Sequence, residues 1–387
     1  MSVKNHYFFL FMLQTVLVAM LSSPRPCLSD SFFPIGMFSV GIDGLRTVKE
    51  AGFNTAHTYY SDPVQLQEFL KEAERLGLKT LVYPGDRGEN GVVDYDKIGA
   101  FIRRNKGHKN ILAWFIADEP ELNGGSPAQM RALHSFVRKI DPGRPTAIVI
   151  HRSDRYGEYR DASNILMIDR YPVPKTPLNH VAEAARWAVT QKDRTGPVWA
   201  VIQAFGHQSP QMKGWGLREP TYEEMHAMTF LSIIYGARGI FYFTFTGSQY
   251  RIMQSPGHWN DLKKIVRELN FIYPLLLTPC AYDKVNVEII EGSPRDERGL
   301  LPVHISEKQL VKNTAKFKAG EYFIAANASG DQVKARFAVK GLSTGRPPVM
   351  QVLEEERSLK LEKGSFVDTF KPYAVHIYEM VAQPTSQ

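Results

Sequence analysis

Ile111-Leu112-Ala113-Trp114-Phe115-Ile116-Ala117-Asp118-Glu119-Pro120 runs seven apolar residues straight into two carboxylates and a proline. A run of that length containing Ile, Trp and Phe reads as a strand buried on both faces. Pro120 cannot continue a ladder, so the strand stops there with Asp118 and Glu119 at its carboxyl end. In sheets of parallel strands, that end is where working residues collect. A glutamate beside an apolar strand and Trp114 is a candidate for a raised pKa, as a general acid requires. The competing reading is that the two acids cap the loop that follows.

Outward from this strand, the chain alternates short apolar segments with amphipathic ones. Strands are expected at 34–40, 54–60, 79–83, 111–117, 145–150, 165–169, 198–203 and 239–245. Helices are expected at 63–76, 94–105, 127–140, 178–189, 222–235 and 261–271. In the first of these, Val64, Leu66, Phe69, Leu70, Ala73 and Leu76 follow the period of a one-sided helix, and Gly77 supplies the stop. Ser126-Pro127 is a capping serine followed by proline in the first turn. The fifth crossover, around 156–162, is little more than a turn. Eight strands with helical crossovers over about 240 residues have the size and rhythm of a (β/α)8 TIM barrel. A doubly wound open sheet would carry a glycine-rich phosphate loop after its first strand, and Ser39-Val40-Gly41-Ile42-Asp43 is not one.

The rhythm changes near residue 285. Short strand-like pieces at 285–290, 321–326, 335–339, 349–352, 359–361 and 374–380 alternate with Gly, Pro, Ser and Asp turns, and no long helix is visible. They read as a small all-β sandwich, more a structural prop than a binding module, since no exposed aromatic row accompanies it. Asn327-Ala328-Ser329 matches a glycosylation sequon. At the other end, Lys4 and His6 precede an apolar run from Tyr7 to Leu21, followed by Ser22 and Ser23. That is the layout of a secretory signal peptide, and the run is short for a membrane span. The expected division is 1–29 signal peptide, 30–280 barrel and 281–387 sandwich, with export to the periplasm or the extracellular space and no membrane contact after cleavage. Cys27 and Cys280 are the two cysteines, too few for a disulfide framework, and Cys280 reads as a small buried residue. No Cys/His cluster has metal-ligand spacing, so neither metal nor cofactor is expected. A formal charge of +7 spread among 40 acids, without a basic run, argues against nucleic acid.

If the barrel is right, the strand ends form one rim. They carry Ser39 and Asp43; His57, Tyr59 and Tyr60; Tyr83 and Asp86; Asp118 and Glu119; His151; Asp169, Arg170 and Tyr171; Gln203 and His207; and Tyr242 with Thr244 or Thr246. Acids, amides and rings gathered there describe a pocket for a polyhydroxylated ligand. An esterase or aldolase lacks support: there is no Gly-x-Ser-x-Gly elbow and no lysine at an expected strand end. Trp114-Phe-Ile-Ala-Asp-Glu-Pro120, Ile168-Asp-Arg-Tyr-Pro172 and Gly236-Ala-Arg-Gly-Ile-Phe-Tyr242 resemble segments of the clan of (β/α)8 glycoside hydrolases with catalytic glutamates after strands four and seven. Within it the chain looks most like exported glycosidase-like proteins with a C-terminal sandwich.

The resemblance implies a hydrolase of an oligo- or polysaccharide, with Glu119 as general acid/base. From the rim and the loop, the expected substrate contacts are His57, Tyr59, Tyr83, Asp118, Tyr171, Gln203, Trp215 and Tyr242. Strand seven departs from the pattern: Val198-Trp-Ala-Val-Ile-Gln203 ends in an amide where the clan has its nucleophile. Asp169 is the favoured second carboxylate, and Glu219, in the loop 205–220, is the other. Asp169 has a plainer reading as the ion-pair partner of Arg170 or another arginine, and Glu219 as an acid before a helix start. Strands four and six are not adjacent, so the wider carboxylate gap of an inverting enzyme is the natural expectation. The alternative is a non-catalytic glycan-binding barrel that lost its nucleophile at Gln203. Trp215, flanked by Gly214 and Gly216, is expected to wall the pocket for an exo-type or short-chain site.

Overall fold

A computed structural model of the chain describes residues 31–85, 93–192, 196–206, 216–247, 250–281, 283–341 and 348–382. Eight parallel strands close into a barrel in sequence order: β1 (Ile35–Met37), β2 (Thr55–Thr58), β3 (Lys79–Val82), β4 (Ile111–Asp118), β5 (Thr146–Ile150), β6 (Ile165–Arg170), β7 (Val198–Gln203) and β8 (Ile240–Phe243). Around them run helices α1 (Leu45–Glu50), α2 (Pro63–Arg75), α3 (Tyr95–Asn105), α4 (Pro127–Ile140), α5 (Tyr156–Tyr159), α6 (Asn179–Lys192), α7 (Tyr222–Ile234), α8 (Pro256–Phe271) and α9 (Tyr273–Leu276). The expected TIM barrel is present, and the fifth crossover is a 3-10 turn, Ser153–Arg155, with the four-residue α5. None of these helices is long and apolar enough to cross a membrane.

Helix starts follow local chemistry. Asp62 accepts from the amides of Val64 and Gln65, with Pro63 at the first position of α2. Ser126 and Thr221 each form a capping box, opening α4 and α7.

Side-chain parity divides the barrel. Leu81, Phe115, Ala147, Val149, Met167, Trp199, Val201 and Phe241 fill its inside, and their neighbours pack outward against the helices. Gly36 is required inside, because a Cβ there would sit 2.2 Å from the ring of Phe241. Trp114 faces outward, with its indole N–H donating to Asp141 at 2.9 Å. It is therefore not the apolar neighbour of Glu119 that the sequence suggested.

Two antiparallel sheets follow the barrel. One holds β10 (Val285–Glu291), β13 (Val333–Val339) and β16 (Ser365–Phe370), in that order. The other, in the order β15-β14-β17-β12-β11-β9, holds β9 (Cys280–Ala281), β11 (Val303–Leu310), β12 (Gly320–Asn327), β14 (Val349–Val352), β15 (Ser358–Lys360) and β17 (Val375–Val381). β11 and β16 were not expected from the sequence, because polar residues interrupt them. In β16, Asp368 points inward, where Arg357, His376 and Tyr378 bond its carboxylate at 2.7, 2.8 and 2.7 Å. The sequon asparagine, Asn327, is buried and donates to the carbonyls of Asp331 and Lys371, so its amide is committed to a turn. Cys280 is half-buried, not buried, and its thiol bonds the carbonyl of Ile233. Helix α7 lies between barrel and sandwich with every residue from Glu224 to Ile234 buried, so it has no solvent face.

Candidate active site

A register shift in β4 aims its two acids. Phe115 pairs with Ala147, Ala117 with Ile148 and Asp118 with Val149, so Asp118 takes the inward parity of Val149. The next residue, Glu119, has φ +44°, a left-handed conformation costly for a residue with a Cβ. This bend turns Glu119 onto the same cavity as Asp118. The loop is held by Asn123, whose side-chain amide donates to the carbonyls of Asp118 and Glu119, both at 3.1 Å. Loop capping is thus the work of an amide two turns of chain later, and both carboxylates line the cavity.

Asp169, at the inward parity of β6, is 3 % exposed and meets Glu119 across the barrel mouth. His151, from the end of β5, stands between them, its Nδ1 3.8 Å from Glu119 and 3.7 Å from Asp169. That nitrogen is 2.9 Å from the carbonyl of Asp169, which can only accept, so Nδ1 carries the proton. One ligand atom from each of the three residues lies within 4.8 Å of the others. Arg170 turns away and donates to the carbonyl of His151. Asp169 is therefore not Arg170's ion-pair partner.

Burial raises the pKa of Glu119 to about 8, helped by its contact with the carboxylate of Asp169. Burial likewise raises Asp169, which the contact with Glu119 counteracts. Both carboxyls are thus held above the ordinary carboxylate range, Glu119 at about 8 and Asp169 at about 7.

Sequence reasoning overlooked Glu121. Its carboxylate accepts from the amides of His151 and Arg152 at 2.6 and 2.9 Å, clamping β5's exit to β4's exit. The Asp-Glu-Pro-Glu run held the signal, since a third acid two residues on has the reach to return to a neighbouring strand end.

The cavity measures about 330 Å³ and is mostly apolar. Tyr171 stacks near Phe243 at 6.0 Å and meets Phe205 edge-on at 5.1 Å; with Tyr250 they make an aromatic wall facing the acids. Phe205, Phe243 and Tyr250 were not among the expected contacts. Tyr59 lines the opposite side, its hydroxyl donating to Asp118 at 2.9 Å. Burial and Asp118 hold its pKa well above the ordinary range, so it remains a donor. Tyr83 packs edge-on behind Tyr59 at 5.6 Å.

Three expected contacts are corrected. His57 is fully buried beneath Tyr59, with burial lowering its pKa to about 3, and supports the floor. Tyr242 has the outward parity of β8, and its hydroxyl bonds Thr229 of α7 at 3.0 Å. Gln203 is fully buried: its Oε1 accepts from the amide of Val173, and its Nε2 donates to the carbonyls of Val173, Phe205 and Arg218. A carboxylate there would face three carbonyl oxygens, so the fold requires an amide. Glu219 is held by Tyr250 and Ser255 at 3.0 and 2.6 Å, and anchors the wall from behind. Trp215, His207 and Asp86 lie outside the described residues.

Three comparisons bear on this site. The family model described as glycosyl hydrolases family 2, TIM barrel domain, matches residues 54–214. No curated protein matches the chain. Among solved structures, a family 27 β-L-arabinopyranosidase from Geobacillus stearothermophilus superposes with TM-score 0.61 at 11 % identity, covering 92 % of this chain and 98 % of that one. A family 5 glycoside hydrolase from Bacteroides vulgatus gives TM-score 0.58 at 13 % identity, covering 90 % and 89 %. An Anoxybacillus α-amylase gives 0.57 at 9 %, covering 89 % and 90 %. At such identities the likeness is one of fold.

Proposed function

We propose that this chain is a glycosidase of the (β/α)8 glycoside-hydrolase superfamily and cleaves its substrate with retention of configuration, Glu119 serving as acid/base and Asp169 as nucleophile. The supporting observation is the pair itself: two carboxyls with atoms within 4.8 Å of each other at the floor of a cavity. Retaining enzymes place their carboxyls about 5–5.5 Å apart, and inverting ones roughly 6.5–9.5 Å, to admit a water between them. So close an approach favours retention over the inversion that strand order suggested.

In the first step the carboxylate of Asp169 attacks the anomeric carbon while Glu119 gives its proton to the departing glycosidic oxygen. An ester to Asp169 forms and the leaving alcohol departs neutral. Glu119, now ionised, takes a proton from water as that water attacks the anomeric carbon, and Asp169 leaves as carboxylate. His151 and Glu121 position the pair. The aromatic wall of Tyr171, Phe205 and Phe243 supplies a face for a sugar ring, and Asp118, steadied by Tyr59, accepts from hydroxyls. The binding-only reading rested on Gln203 as a lost nucleophile, and that amide is a structural strut. Export, with residues 7–21 as the apolar core of a leader, belongs to the same proposal.

The test is hydrolysis of a glycoside panel by wild type, Glu119→Gln and Asp169→Asn, with product anomers followed by NMR. A 2-fluoro glycoside should leave a mass increment on the peptide containing Asp169. An unlabelled Asp169 peptide, together with full activity of Asp169→Asn, would overturn the assignment. A second reading, favoured by the same three ligand atoms, is a divalent cation held by Glu119, His151 and Asp169. Activity lost to EDTA and restored by a divalent metal would put that reading in place of the acid/base pair.

A further inference from the structure

Beside the catalytic rim lies a second, larger depression of about 590 Å³. It is bounded by the turn after β5, the exposed face of α6 and the connection from β10 to β11 of the sandwich. Trp187 of α6 stands in it 46 % exposed, although its helix neighbours Ala184, Ala185 and Ala188 are buried. Charged groups around it are already fixed. Arg298 of the sandwich pairs with Glu183 of α6 at 2.7 Å, and Arg152 holds Asp154 at 2.6 Å.

Beneath them His304 bonds Tyr235 at 2.7 Å and Asn179 at 2.6 Å, so the floor is rigid. The mixture of an indole face, carboxylates and guanidinium groups, with neither charge in excess, is the chemistry that grips neutral sugars. Rings cover the apolar faces, and planar ions hold adjacent hydroxyls in pairs. Ordering these groups before binding lowers the entropy lost on association.

One short segment of chain runs from the active site to this depression. His151 lines the catalytic cavity, while Ser153 and Asp154 line the second depression. We infer that this depression is a second saccharide site, which holds a neutral stretch of the same polysaccharide some units away from the bond being cleaved. The inference rests on the proposed glycosidase reading. It gives the sandwich a part in substrate binding through Arg298, and favours a chain that runs past the pocket over one that ends in it.

The experiment uses the full chain with Trp187→Ala, at an exposed helix position. Affinity electrophoresis through gels containing soluble starch, xylan, arabinan or galactan reads binding, and aryl glycosides read the catalytic step. Retardation of wild type by one of these polymers, weakened about fivefold or more in Trp187→Ala while aryl-glycoside turnover is unchanged, is the expected result. Wild-type migration unaffected by every polymer, or equal retardation of wild type and Trp187→Ala, overturns the inference. Equal loss on polymer and aryl glycoside also overturns it, since Trp187 would then act through the catalytic site. If the polymer retards wild type but not Trp187→Ala, and no glycoside is hydrolysed, the second site stands and the Glu119–Asp169 assignment falls.

Discussion

At the scale of single residues, the proposed chemistry rests on a half-buried and a buried acid whose pKa values are both raised. Glu119→Gln removes the acid, and kcat is expected to drop by about 10²–10⁴ for substrates with poor leaving groups. The wild-type profile of kcat/KM against pH should lose activity above about 8, where Glu119 gives up its proton. It should also fall on the acid side, as Asp169 takes one. The same shift acts on stability. Glu119's folded pKa lies above its unfolded value, so the folded state binds more protons between about pH 4 and pH 8 and loses stability as pH rises through that window. Glu119→Gln should therefore show a flatter pH dependence of stability and be more stable than wild type at pH 8, by on the order of 1 kcal/mol, read as an upward shift in melting temperature. Gln203 gives the opposite case. Gln203→Glu sets a carboxylate against three carbonyls and should cost about 2–4 kcal/mol by urea unfolding at pH 7, less at pH 5 where the acid regains a proton. Equal stability at both pH values would refute the strut reading. Asp118, Glu119 and Asp169 were legible because each ends an apolar run. Tyr242 was misread because a strand end does not say which face a side chain takes; Gln203 has the inward parity of β7, but its amide is spent on backbone groups.

Among elements, the exit of β4 controls the most. Its register shift and the positive φ of Glu119 leave no trace in composition, so the sequence put both acids at one pocket but not the backbone device that turns consecutive side chains to the same side. Asn123 holds that bend through two carbonyls. Asn123→Ala should lower kcat about tenfold with KM nearly unchanged and a melting temperature within a few degrees of wild type. A rise in KM alone would move Asn123 into substrate binding. Helix α7 was expected as one more one-sided helix, although Met225-His-Ala-Met-Thr-Phe-Leu-Ser-Ile-Ile234 is nearly continuous in small and apolar residues. That pattern signals burial on all sides and points to a second layer outside the barrel. β11 and β16 escaped notice for the converse reason: their inward faces carry Ser306 and Asp368.

For the whole molecule, the barrel and the sandwich share one interior. Leu310, Phe317, Tyr322, Ile324 and Ile377 of the sandwich belong to the same apolar cluster as α7 and the barrel's outer layer. Asn179 bonds both His304 and Asp296 across the boundary. The full chain is expected to unfold in a single calorimetric transition whose van't Hoff and calorimetric enthalpies agree. Two separate endotherms would show independent domains. Such a helix also bears on ancestry. A module that merely touches a barrel can be gained, lost or traded among enzymes as a cassette. One that roofs a helix with no water-facing side cannot be excised without re-engineering that helix, so this barrel and this sandwich are bound to diverge as a single heritable piece.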